Sequence, residues 1–510
     1  MGFELTTQSI GTKQINYDNF AEQSIDCNIS LPDYCPDIVR ILKCSVQNNI
    51  ISTKLSGDRA CADGNSKIRI IYVDDSNSIF CYEYEYPFSK YVELPGSFDS
   101  SVLTVCAKTE YINCRAVSKR RLDVHGVISL RFRILCVKNE LLIDNASGGG
   151  IQLKRKGIDV NDVVAVTSKM LKLTEVEQLD DGYADIGKVL FVNAVPIVTE
   201  TKIIKGKALL KGEWTIKAVY ASDGENNQTC TVDYSIPFNE ISEIENLTEE
   251  CNLDFSVCVF QADAEAKADN DGNYRYLSLN IEAEFEITAY CQKALKIITD
   301  AYSTQTSVNE KYMPVTFTKI AKTVNDTFSF SRSIDISSQN PQKLYAVSAG
   351  VPDCKCTFEK GKMYVKGSLP LDIFYIDEDG SPVFCEREAD FDYSVSLDGE
   401  TNKYVCIPQI SVSGYNCRLN SGTVEFNAEI NIIANVNKQL ECRVLTELEE
   451  NENGKFADRK SSLVIYFCLG GESVWDIARK YNTTIEEIME ENSLTTDYLE
   501  EKTMLLIPVK

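Results

Sequence analysis

One histidine and two tryptophans among 510 residues leave the commonest catalytic constellations little to work with. A single histidine, His125, excludes HExxH zinc sites and His-rich metal clusters. Any Ser-His-Asp or Cys-His arrangement would have to run through it. It sits in LDVHGVISLRFRIL, where alternation puts it on one face of a strand, the place of a structural histidine. No GxxxxGK[ST] loop and no GxGxxG stretch is available to cradle phosphates. The nineteen cysteines include no CxxC pair, which removes the usual zinc and redox motifs, and Cys354-Lys355-Cys356 reads as part of a strand. Acidic pairs such as Asp74-Asp75 and Asp377-Glu378 fall in turn-like segments. No enzyme, cofactor or metal is expected.

Positive charge is scarce too. The net charge is −24, and basic runs such as Lys119-Arg120-Arg121 are short, so no nucleic acid is expected as a partner. No stretch approaches the ~20 apolar residues that would span a bilayer. The opening MGFELTTQSIGTKQINYDNF lacks a basic region followed by an apolar run. Without an export signal the cysteines are expected as reduced thiols in a cytosol, many of them acting as small hydrophobes.

What the chain does contain is repetition. Gly64, Gly212 and Gly367 each precede a tyrosine by eight residues (Tyr72, Tyr220, Tyr375), and a cysteine follows (Cys81, Cys230, Cys385). A basic residue, Arg40, Lys188 or Lys343, stands 24 positions before each glycine and opens an apolar run: RILKCSV, KVLFVNAV, KLYAVSAG. Around these markers apolar and polar residues alternate, rich in Val, Ile, Tyr and Thr, and the turns DDSNS, SDGENN and DEDGS separate them. That is the chemistry of antiparallel hairpins. Each repeat glycine marks either a close backbone approach or a turn.

With the segment SIDCNISLPDYCPDIVRILKCSV, these units resemble the SPOCS domain of endospore-forming bacteria. The boundaries read as 1–150, 151–320 and 321–445. DNASGGG closes the first, and the polar KTVNDT (322–327) separates the second and third. The run TELEENENGKFADRKSS (446–462) reads as a charged linker before a last module at 463–510.

In that module LVIYF is a short strand, and Ser473-Val-Trp-Asp476 and Thr484-Ile-Glu-Glu487 fit capping boxes. Apolar residues follow at helical spacing: Val474, Ile477, Ala478, Tyr481, then Ile485, Ile488, Met489. MLLIPV supplies a final strand. This order closely resembles a LysM domain: Gly471 to Ala478, Tyr481 to Thr484, Asn492-Ser493-Leu494 and Leu506-Ile507-Pro508 match its motifs. Two features depart from it. Glu500-Glu501-Lys502 replaces the family's P-G-Q, and from Ser461 to Lys510 nine acidic residues face four basic ones.

The expected fold is therefore mainly β, with three tandem antiparallel SPOCS-like domains followed by a small βααβ LysM domain. LysM folds bind N-acetylglucosamine glycans, so peptidoglycan is one partner the resemblance implies. The SPOCS–LysM architecture implies another: a non-enzymatic adaptor in the mother-cell cytoplasm at the forespore surface, whose LysM domain binds the spore coat morphogenetic ATPase and whose repeats meet other coat proteins. The partner-binding residues so implied are Leu463, Gly471, Ser473, Val474, Trp475, Asn492 and Leu494. Trp475 lies beside the helix's apolar stripe, as a partner's anchor or as the lid of a very small core.

Overall fold

The computed structural model describes residues 3–98, 100–223, 229–397, 403–451 and 462–509. Antiparallel strands dominate, in three units of the same plan. In the first, the long strands β1 (Glu4–Ser30) and β6 (Arg121–Ser147) pair along their length, with β5 (Val102–Ser118) on the far edge of β6. A separate sheet is inserted between them in sequence: β2 (Arg40–Ser56), β3 (Arg59–Val73) and β4 (Ile79–Glu93).

The second unit repeats this. β7 (Ile151–Gln178) pairs with β12 (Tyr274–Ser303), while the inserted sheet holds β8 (Ile186–Ile204), β9 (Lys207–Ser222) and β10 (Thr229–Glu243). β11 (Cys251–Ala268) lies on the other edge of β12. In the third, β13 (Val308–Asp335) pairs with β20 (Thr423–Glu450). Its inserted sheet is β14 (Lys343–Ala349), β15 (Asp353–Glu359), β16 (Lys362–Ile376) and β17 (Pro382–Ser396). β18 (Tyr404–Val405) and β19 (Gln409–Asn420) complete the edge of β20.

Two of the sequence-derived boundaries move. KTVNDT lies inside β13, so the second and third units divide between Ser303 and Val308 and not at 320. β13 is an edge strand with one face in solvent, and its outward residues, Thr323, Asn325 and Thr327, are polar because water covers them. β20 likewise continues to Glu450, past the expected end at 445. Most of the expected linker, 452–461, and most of the SDGENN turn, 224–227, lie outside the described residues.

The repeat markers acquire physical roles. Gly64, Gly212 and Gly367 are mid-strand, each facing a phenylalanine across the ladder: Phe88, Phe238 and Phe391. A Cβ on Gly212 or Gly367 would fall 2.6 Å from the ring Cζ and would also strike a neighbouring backbone carbonyl, so these are close approaches, not turns. Gly212→Ala should lower stability by about 1–3 kcal/mol through overpacking, read from its urea midpoint. The three tyrosines are buried, and Tyr72 and Tyr220 donate to the carbonyls of Pro36 and Ala184. Asp74 and Asp377 are turn residues, each accepting backbone N–H bonds from within its own turn.

The units close on one another. Leu42 and Ile71 of the first, Leu190 and Val219 of the second and Ala346 and Phe374 of the third share one core cluster. Ile10, Val160 and Phe317, at matching places in the long strands, share another. Ion pairs seal the seams. Glu286 meets Lys13 (2.8 Å) and Arg133 (3.1 Å) across units one and two, and Lys43 meets Asp372 across units one and three. His125 is exposed, with Nδ1 3.3 Å from Asp26. One thiol expectation needs correcting: Cys251 and Cys291, facing each other on β11 and β12, are joined as a disulfide.

Candidate functional site: the C-terminal βααβ module

The module has two short helices laid on a two-stranded sheet. β21 (Leu463–Cys468) pairs with β24 (Thr503–Pro508), and β22 (Glu472–Ser473) bridges β23 (Tyr498–Leu499). Helix α1 spans Val474–Tyr481 and α2 spans Ile485–Asn492. Thr484 and Glu487 form a complete capping box. At α1 the first half alone forms, Ser473 Oγ accepting from the Trp475 N–H at 3.2 Å. Asn482, at φ +46°, closes α1 in the left-handed conformation.

Several motif residues hold the module together. Val474 is fully buried. The Asn492 carboxamide donates to the Leu506 carbonyl and accepts from its N–H, both at 2.7 Å, so it ties α2 to β24. Leu494 packs half-buried on the same core. Glu472 fastens the loop before α1, accepting from the Leu469 N–H at 2.7 Å and the Tyr466 hydroxyl at 2.8 Å. That hydrogen bond pushes the Tyr466 pKa up to about 12.

The groove used for glycans in LysM folds lies between the loop before α1 and the loop before the last strand. Here the two loops touch: the Gly471 N–H donates to the Leu499 carbonyl at 2.7 Å. Gly470 backs onto the Glu500 carbonyl, where a Cβ would fall 2.6 Å away. Gly471 itself sits at φ +98°, a conformation that favours glycine. Glu500 and Glu501 are exposed on this wall.

Trp475 does not stand free at an edge. It is 5% exposed and covered by Tyr302 of β12, ring centroids 4.9 Å apart and edge-on. Its indole N–H donates to Asp300 at 2.7 Å. Arg479, one turn on, pairs with both Asp300 and Glu310, and the Tyr302 hydroxyl donates to the Thr483 carbonyl at 2.8 Å. Asp300 also accepts from the Tyr312 hydroxyl and the Ala301 N–H, each at 3.0 Å. Within one chain, then, the Trp475 surface expected to receive a partner is the seam that docks the module on β12 of the second unit and β13 of the third. Asp300, Tyr302 and Glu310 gave no signal in the sequence, because they read as ordinary alternating strand residues.

The sheet's outer face is what the docking leaves free. Leu463, Ile465 and Phe467 alternate outward from β21 and are 43%, 58% and 72% exposed. Met504, paired with Phe467, is 56% exposed, and Leu469 beyond it 62%. Of the seven expected partner-binding residues, Leu463 alone lies on this face.

A family model described as "SipL, SPOCS domain" matches residues 37–117 and 185–267, and the LysM domain model matches residues 471–508. The SPOCS segments cover the inserted sheets of the first two units with the strand that follows each. No curated protein and no solved structure matches the chain. Both families are binding modules and not catalytic ones, and among the described residues no helix is long and apolar enough to cross a membrane. The chain thus carries two tandem segments that match the SPOCS domain of SipL-type sporulation proteins and a C-terminal segment that matches the LysM domain, a peptidoglycan-binding kind of module.

Proposed function

We propose that the chain is a non-enzymatic adaptor of endospore formation. It holds the spore coat morphogenetic ATPase at the forespore surface, in the mother-cell cytoplasm, through the outer sheet face of its LysM module. The observation that carries this reading is the apolar strip Leu463–Ile465–Phe467–Met504, with the exposed carboxylates Glu500 and Glu501 beside it. An apolar centre with a charged rim is the usual anatomy of a protein-docking surface. The inserted sheets and long strands of the three units form the rigid body that carries the module and meets other coat proteins.

Co-purification of the full chain with the ATPase tests the reading. Phe467→Glu should weaken capture by about 2 kcal/mol or more, roughly 30-fold, with the melting temperature unchanged because Phe467 faces water. Undiminished capture by Phe467→Glu and Ile465→Glu would show that the partner docks elsewhere.

A second reading rests on the LysM match: the module holds N-acetylglucosamine chains of peptidoglycan. The contact between the two groove loops and the two glutamates on the wall count against it. Saturable sedimentation with purified cell wall, weakened by a substitution at Gly471 but not at Phe467, would favour the glycan.

A further inference from the structure

Beside the Cys251–Cys291 disulfide, a cleft of about 520 Å³ opens on the seam between the second and third units. Its walls are β8 and the start of β11 from the second unit, and adjacent lengths of β13 and β20 from the third. That volume falls in the range of small-molecule sites, which favour the boundaries between domains.

The polar groups of the cleft are ordered. Thr323 and Asn435 face each other in the β13–β20 ladder, and the Thr323 hydroxyl donates to the Asn435 carboxamide oxygen at 2.9 Å. The Asn435 amide in turn donates across the seam to Oδ1 of Asp254 on β11, at 3.0 Å. The line ends on a carboxylate, which offers acceptor positions beyond the one Asn435 fills. Burial keeps the Asp254 pKa above the ordinary carboxylate value, so a further donor there would relieve a partly desolvated charge. Exposed Asn252, Asn325 and Thr201 add carboxamides and a hydroxyl to the walls, and half-buried Leu253, Phe255 and Ile433 give apolar patches between them. Among the charged lining residues, Glu200, Glu249 and Asp254 outnumber Lys202.

We propose that this cleft binds a neutral saccharide about the size of a disaccharide, with Asp254 and Asn435 taking adjacent hydroxyls of one ring. A vicinal diol sets donors and acceptors side by side, which a carboxylate and a carboxamide meeting across the seam can match. The C–H faces of the ring suit the apolar patches. Phosphates and acidic sugars would meet the excess of carboxylates and be repelled. An apolar ligand would leave the polar groups unpaired, a heavy penalty in a site built for hydroxyls. The cleft is separate from the LysM groove, and the proposal does not depend on the adaptor role.

Isothermal titration calorimetry of the full chain with cellobiose, maltose and lactose tests it. At least one of these sugars should bind with a Kd of about 1 mM or tighter, and should raise the urea midpoint because it bridges two units. Asp254→Ala and Asn435→Ala should each weaken binding by about tenfold or more. Asn325→Trp, at an exposed position on the wall, should block the cleft by bulk while circular dichroism stays that of the wild type. Phe467→Glu, on the LysM sheet face, should bind the sugar as wild type does. Absence of heat from all of these sugars at about 10 mM, binding that survives Asn325→Trp, or binding of spermidine in their place would overturn the proposal.

Discussion

Asp300→Ala should release the LysM module from the second unit. The Asp300 carboxylate, 19% exposed, receives the Trp475 indole N–H, the Arg479 guanidinium, the Tyr312 hydroxyl and a backbone N–H. Removing it leaves an indole and a phenol without their acceptor and half of Arg479's ion pairing undone. Each orphaned partner costs about 1–3 kcal/mol. That loss rivals what the remaining Tyr302–Thr483 hydrogen bond, Arg479–Glu310 ion pair and edge-on ring contact can hold, at about 1 kcal/mol each. With Trp214 replaced by Phe, Trp475 is the only indole in the chain, so its emission reports the seam. A red shift on Asp300→Ala, matched by Tyr302→Ala, is the expected outcome.

The same variant separates the two possible anchors for a partner. The outer sheet face does not touch the seam, so capture of the coat ATPase should survive Asp300→Ala unchanged. Capture that strengthens as Trp475 emission moves to the red would instead make Trp475 the anchor and the seam its cover.

Trp214→Ala should unfold the second unit. Trp214 is fully buried, tilted against Phe238 at 6.2 Å, and Phe238 in turn lies 6.2 Å from Phe285. Truncating a buried tryptophan costs about 3–5 kcal/mol, a large share of the 5–15 kcal/mol that holds a domain together. Trp214→Phe should cost less than about 2 kcal/mol, because the indole N–H it removes has no acceptor among the described residues. Urea unfolding followed by Trp475 emission and circular dichroism measures both. Since the units share core clusters, the alanine variant should also lower the midpoint of the first and third.

How much of this was legible depended on where each signal lives. The inserted sheets could be read because their registers rest on alternation, on Asp- and Gly-rich turns and on a glycine facing a phenylalanine, all of which are local. Edge strands could not. β13 carries its one apolar face on every second residue, and KTVNDT looked like a break because the polar half of the alternation dominated it. The Cys251–Cys291 disulfide was invisible for a different reason. It joins residues 40 apart on facing strands, a separation to which no spacing rule applies.

The LysM motif shows the division most clearly. Caps, helical spacing and the Asn492 and Pro508 positions depend on residues within a turn or two of each other, and the sequence alone determined the module's fold. Whether Trp475 faced a partner or a neighbouring unit depended on Asp300 and Tyr302, about 175 residues away, whose own strand pattern says nothing of the indole above them. Burial and hydrogen bonding between distant segments are properties of the packed chain. The tertiary structure alone turned Trp475 inward and left Leu463, Ile465 and Phe467 facing water.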